Sequence, residues 1–144
     1  MTDHTDDAEA LFRDFARRHS FAIEKLDGAP VELLMRVPSQ PGLSFELALG
    51  LQNGDEANIG FAEFWSYFFP YENKRQIVSD ALDGLATGDC RLAVHTQLGG
   101  VVKRVLEVRS NGTWQTIYTA FERIQIPLLK TKISYVRNEE APAF

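Results

Sequence analysis

The stretch FAEFWSYFFPY, Phe61 to Tyr71, carries seven of the chain's sixteen aromatic residues. At roughly 1.5–3 kcal/mol per fully buried large side chain, no other segment of this length offers as much apolar stabilisation. Successive side chains of an extended strand point to opposite faces, so so dense a run cannot bury itself on one side. Either both faces of the strand are covered, or one face awaits a ligand or partner. On the second reading Phe61, Trp65, Tyr67, Phe68 and Tyr71 are candidate contact residues.

Just upstream, Phe45, Leu47, Leu49 and Leu51 alternate with Glu46, Ala48 and Gly50, which is the pattern of a half-buried strand. Asn53-Gly54 marks the hairpin that joins it to the aromatic stretch. A two-residue loop would oppose Leu49 to Asn58 and waste the apolar face. A three-residue loop, Asn53-Gly54-Asp55, opposes Leu49 to Ile59 and Leu47 to Phe61, and is the register expected. Continued as one strand to Pro70, this register sets Glu63 opposite Phe45, between Phe61 and Trp65. A carboxylate in an aromatic pocket is a candidate ligand anchor or general acid. The plainer reading has Glu63 at a bulge or past the sheet edge, in water.

Helices flank this half. Residues 6–19 place Leu11, Phe12 and Phe15 on one face, with Asp6 and Glu9 at capping-box spacing. A second helix is expected from Asn73, with Ile77, Val78, Ala81, Leu82 and Leu85 buried and Gly88 as terminator. Before the aromatic stretch, 21–26 and 31–37 read as strands. After Gly88 a meander follows: strands at 91–98, 101–109 and 113–121, with turns at Gly99-Gly100 and Asn111-Gly112. The last hairpin, with a two-residue loop, opposes Leu106 to Ile117, Val105 to Tyr118, Val102 to Phe121, and Arg109 to Trp114. Pro127 argues for an edge or a crossing loop, and 130–137 for a final strand guarded by lysines.

The order α-ββββ-α-βββ(β) indicates an α+β fold. Two helices pack on a bent antiparallel sheet of seven to eight strands, or on two sheets. Residues 1–137 form the expected domain, and 138–144 an expected mobile tail.

Composition narrows the function. At 144 residues with one cysteine, Cys90, the chain suits one soluble domain that needs no disulfide. The acidic opening MTDHTDDAEA lacks signal-peptide regions and no apolar run is long enough to span a bilayer. A cytoplasmic protein with no membrane association is expected.

Catalytic chemistry finds little support. Cys90 and His95 lie five apart on one strand, so they face opposite sides and make a poor nucleophile pair. The three histidines have no metal-ligand spacing, and no glycine-rich phosphate loop is present. No cofactor is implied, and the balance leans away from an enzyme.

The net charge of −5 is segregated: residues 101–137 carry seven bases against Glu107 and Glu122. Such a segment suits an anionic partner, or acidic strands of the same molecule or of a dimer mate. Arg109 beside Trp114 forms a possible stacking patch. Single-stranded nucleic acid is the other ligand of a basic, aromatic sheet, but the acidic net charge argues against it. The leading expectation is a non-enzymatic binding module that recognises a protein partner, or itself as a homodimer, through Phe61–Tyr71. The alternative is a pocket for a small apolar ligand between helix and sheet, lined by Phe61, Trp65 and Phe68 and anchored by Glu63.

Overall fold

The computed structural model describes residues 3–141. Among the described residues, two helices and nine strands form an α+β fold in which every strand pairing is antiparallel. The elements run α1 (Thr5–Arg18), β1 (Glu24–Lys25), β2 (Leu33–Val37), β3 (Leu47–Gln52), β4 (Glu56–Phe61) and β5 (Phe64–Trp65). Then come α2 (Tyr71–Thr87), β6 (Cys90–Gln97), β7 (Gly100–Ser110), β8 (Thr113–Phe121) and β9 (Lys132–Val136). The strands form two sheets rather than one bent one, in the orders β1-β2-β3-β4-β5 and β8-β7-β6-β9.

The first hairpin has the expected register: Leu49 pairs with Ile59 and Gln52 with Glu56, around the three-residue loop. The aromatic stretch is not one strand. Ala62 and Glu63 both take positive φ, 48° and 65°, and turn the chain back so that Phe61 pairs with Phe64 and Gly60 with Trp65. That is the backbone of a two-residue primed hairpin, built without the usual Asn or Gly. The reversal changes which face each residue takes. Phe61 and Phe64 point inward with Ile59, while Trp65 shares the outer face with Gly60 and lies so close over it that a Cβ there would clash. Past β5, Ser66 holds the sheet edge by accepting from Ile59 N (3.1 Å) and donating to Ile59 O (2.9 Å).

Both helices start earlier than the capping-box spacing suggested. The α1 N-cap is His4, with Asp3 Oδ1 accepting from Thr5 N at 2.9 Å. The α2 N-cap is Pro70, and Asp55 receives Tyr71 N through its carbonyl (2.8 Å) and its carboxylate (3.0 Å). Gly88 closes α2 at φ 88°, as its place predicted. The helices lie side by side and run the same way. Asp7 joins Tyr71 Oη (2.6 Å) and Arg75 (2.7 Å) at one end, and Asp83 takes Arg18 (2.9 Å) and His19 (2.8 Å) at the other.

One buried cluster joins both sheets and both helices. It includes Phe12 and Phe15 of α1, Leu49 and Ile59 of the first sheet, Leu82 and Leu85 of α2, and Leu92 and Leu106 of the second sheet. Tyr118 bridges the sheets, its ring 5.7 Å from Phe64 and 5.3 Å from Phe68.

In the second sheet Arg109 pairs with Trp114, as expected, but a bulge between Leu106 and Glu107 shifts the rest. Leu106 therefore meets Tyr118 rather than Ile117, Val105 meets Thr119, and Phe121 meets Lys103 rather than Val102. The β6–β7 turn is Leu98-Gly99, one residue before the glycine pair, with Gln97 opposite Gly100. Residues 122–131 cross the end of the sheet and deliver β9 to the free side of β6. Asn138, the first residue of the expected tail, is buried, bonding Ser44 N (2.9 Å), Gly42 O (2.8 Å) and Ala86 O (2.9 Å). Residues 142–144 of that expected tail lie outside the described residues. Among the described residues no helix is long and apolar enough to cross a membrane.

Candidate functional site

The aromatic stretch divides between core and surface. Phe61, Phe64 and Phe68 are buried in the shared core. Tyr71, read as a contact residue, is 1% exposed, its ring packed as the first residue of α2 and its hydroxyl spent on Asp7. Burial and the donation to Asp7 push its phenol well above the usual range. Tyr67 and Phe69 are exposed and Trp65 is half-buried, with Trp65 and Tyr67 edge to face at 6.5 Å. The outward share of this stretch is thus the Trp65–Tyr67 pair and Phe69.

Glu63 does not enter an aromatic pocket. It sits on the β4–β5 turn with its side chain 86% exposed and receives Arg104 Nη2 at 3.2 Å. Arg104 is itself buried against the sheet and also donates to Glu122 at 2.5 Å. The pocket lined by Phe61, Trp65 and Phe68 therefore lacks its geometry: two of the three are closed into the core, and Trp65 faces the other side.

A second constellation takes shape on the face of the β8-β7-β6-β9 sheet that turns away from the helices. Strand alternation puts Cys90, Leu92 and Leu106 inward with the core. It puts Arg91, Ala93 and His95 outward, in register with Glu107, Val105 and Lys103 of β7 and, for Ala93 and His95, with Tyr135 and Ile133 of β9. Trp114 joins them from β8 across Arg109. The Arg91 guanidinium lies 3.9 Å from the ring centres of both Trp114 and Tyr135, and its Nε donates to Glu107 at 2.9 Å. Arg109 and Arg137 approach the same indole at 5.5 and 5.9 Å. Arg109 is held in turn by Asp89 (2.5 Å), and Arg137 donates to Gly88 O (2.6 Å).

Three guanidinium groups thus converge on one indole ring. Each cation so placed is worth roughly 0.5–2 kcal/mol according to its desolvation, and the stack fixes side chains that would otherwise be mobile. Partial burial, followed by Lys103, holds the His95 imidazole below its usual range, so arginines and lysines supply the positive charge of this face. Beside Tyr135 a shallow depression of about 360 Å³ is lined by Ser44, Phe45, Tyr135, Val136, Arg137 and Glu139.

Of the residues singled out from sequence, Arg109 and Trp114 belong to this constellation. Phe61, Glu63 and Trp65 belong to the β4–β5 hairpin of the other sheet, Tyr67 and Phe68 to the connection that follows it, and Tyr71 to the start of α2. Arg91, Tyr135 and Arg137 were missed. Arg91 and Tyr135 meet only because β9 pairs with β6, and that pairing left no local signal. Cys90 and His95 face opposite sides of β6, as their spacing implied, and burial pushes the Cys90 thiol up to about 12.

Comparison with protein-family models, with curated proteins and with solved structures returns no match to this chain.

Proposed function

We propose that this chain is a non-catalytic recognition module that binds an acidic protein segment on the outward face of its second sheet. The observation that carries this is the Arg91 guanidinium held between Trp114 and Tyr135 at 3.9 Å from each. Trp, Tyr and Arg are the residue types that dominate binding hot spots, and here they are pre-ordered, which lowers the entropy lost on binding. The face is basic, with Arg91, Lys103, Arg109 and Arg137 against Glu107 and Asp89. Face-to-face self-association would oppose like charges, so an acidic partner fits better than a second copy. This moves the recognition surface off the Phe61–Tyr71 stretch, whose rings serve mainly as core.

The test is selection of binding peptides from a random displayed library on the purified protein. Selected peptides should be enriched in Asp and Glu with an aromatic or aliphatic anchor. Their binding should weaken about tenfold or more in Trp114→Ala and in Tyr135→Ala, and stay unchanged in Tyr67→Ala. Binders indifferent to position 114 and to position 135, or binders of neutral or basic composition, would remove the basis for this reading.

A further inference from the structure

The end of the second sheet where β6 passes into β7 and β8 into β9 shows a residue choice that folding alone does not account for. Leu98 and Gly99 form a two-residue hairpin turn with φ 52° and 77°. Such turns favour Asn-Gly. Of its other positive-φ hairpin loops, two use Asn-Gly, Asn53-Gly54 (56°, 70°) and Asn111-Gly112 (52°, 79°), and the third, Ala62-Glu63, carries no large apolar residue. At 98 it puts a leucine there instead, and leaves it 83% exposed.

The same anomaly recurs next to it. Leu129 N donates to Ile126 O at 3.4 Å, closing a turn over Pro127 and Leu128 in which Leu128 has φ 70°. Pro followed by a positive-φ residue is the pattern of a type II turn, whose third position favours glycine. Leu128 is fully exposed, at 105%. Both sites set a bulky apolar side chain on strained backbone with its surface in water, unfavourable on each count.

The two tips are held together rather than loose. The buried Gln97 shares its two Nε2 hydrogens among Ile126 O (3.1 Å), Leu129 O (3.3 Å) and Thr131 Oγ1 (3.0 Å), and its Oε1 accepts from Ile126 N (2.9 Å). Ile124, 88% exposed, and Phe121 extend the apolar end. Around them stand Lys103, Arg123, Lys130 and Lys132. Among the described residues none of these four makes an ion pair. The molecule as a whole carries −5, so this end is locally reversed in sign.

We infer that this end of the second sheet is a site for peripheral attachment to an anionic lipid surface, with Leu98 and Leu128 entering the headgroup boundary and Lys103, Arg123, Lys130 and Lys132 facing the lipid charge. Convex leucine tips ringed by cations suit a fluid apolar interface, which needs no matching pocket. A second copy fits less well, because a symmetric contact would bring two sets of four cations together. The inference rests on other apolar residues than the recognition face around Trp114 and shares only Lys103 with it.

The experiment is co-sedimentation of the full chain with phosphatidylcholine vesicles, with and without roughly 30 mol% phosphatidylserine, at low and physiological salt. Binding is expected to the anionic vesicles only, and to weaken as salt rises. The variant L98N/L128G suits the turn backbone better, so it should melt no lower than wild type. Its vesicle affinity should nevertheless fall about tenfold or more. K130E/K132E should lose binding as well, whereas W114A/Y135A should retain it, which separates this site from the recognition face. No binding to either vesicle overturns the inference, as does binding that survives in L98N/L128G. A wild-type dimer in sedimentation velocity that L98N/L128G dissociates, without vesicle binding, would assign this end to a second copy instead.

Discussion

The turn at Ala62-Glu63 decides how the aromatic stretch is used, and it can be tested by a sign. Both residues have positive φ, where a residue with a Cβ is disfavoured by roughly 1–2 kcal/mol relative to one that tolerates the region. Replacing the pair with Asn-Gly should recover part of that. Against it stand the freedom Gly adds to the unfolded chain, about 0.5–1 kcal/mol, and loss of the Glu63–Arg104 contact. That contact is weak on the Glu63 side, which is 86% exposed, and Arg104 keeps Glu122. An exposed pair of this kind contributes about 0–1 kcal/mol. The net expectation for A62N/E63G is a gain of about 0.5–2 kcal/mol, or roughly 1–8 °C in Tm for a chain of this size. A continuous strand through 61–71 predicts the reverse, because Asn and Gly inside a strand cost about 1–2 kcal/mol. The companion variant A62V/E63T sharpens the contrast: β-branched residues suit a strand and fit this turn badly. Thermal and urea unfolding of the three proteins at one pH give the answer. A destabilised A62N/E63G beside a neutral or stabilised A62V/E63T would refute the hairpin and restore the single strand.

Three further outcomes follow from single contacts. Ser66→Ala should lower stability by about 1–3 kcal/mol, because it strands the buried Ile59 N–H, as measured by urea unfolding. Asp7 is held below the usual carboxylate range by Arg75 and then by the Tyr71 hydroxyl. Its contribution is present above about pH 4 and is lost as pH falls through the lowered folded value, so Asp7→Asn should flatten the acid limb of a stability–pH profile. An unchanged acid limb would mean the carboxylate does not link the helices energetically. With its thiol pushed up to about 12, Cys90 should react with a thiol reagent at pH 8 on the order of a thousandfold more slowly than a free cysteine; urea should abolish the difference.

What was legible in the sequence, and what was not, follows the range of each signal. Leu49 opposite Ile59 could be derived because Asn53-Gly54-Asp55 advertises its turn and only one register matches the apolar faces. Arg109 opposite Trp114 was legible for the same reason, as the residues lie beside Asn111-Gly112. Ala62-Glu63 and Leu98-Gly99 adopt turn backbone with residues that do not announce it, so the sequence pattern runs the strand through the first and sets the second turn one residue late, on Gly99-Gly100. The bulge at Leu106–Glu107 is a single-residue event within two strands of regular pattern, and it moved Tyr118 onto Leu106, where it bridges the two sheets. The meeting of Arg91, Trp114 and Tyr135 depends on β9 adding to β6 after a crossing loop, a long-range pairing with no local cue.

The charge segregation seen in the sequence gains its meaning from where the ion pairs close. In the acidic half the acids largely find bases near them: Glu9 takes Arg13 and Lys25, Asp14 takes Arg17, Glu24 and Glu46 share Arg36, and Asp7 takes Arg75. That half neutralises much of its own charge without drawing on the basic segment. Glu63–Arg104 is the one ion pair among the described residues that joins a first-sheet acid to the segment 101–137. The expectation that acidic strands would absorb the basic ones within this molecule therefore holds only at Arg104. The remaining cations divide by position along the second sheet. Toward the Asn111-Gly112 end, Arg91, Arg109 and Arg137 are fixed around Trp114, where positive charge is ordered and directional. Toward the Leu98 end, Lys103, Arg123, Lys130 and Lys132 surround exposed leucines. Ordered guanidinium groups on a stacked indole suit recognition of a particular carboxylate geometry. Cations around exposed apolar tips suit a charged surface without fixed geometry. Attraction at the second end should vanish within a Debye length of about 8 Å at physiological salt, whereas the stacked face keeps its contacts once formed. Salt should accordingly weaken vesicle binding far more steeply than peptide binding. Equal salt slopes for the two ligands would mean that both surfaces act as one diffuse basic patch.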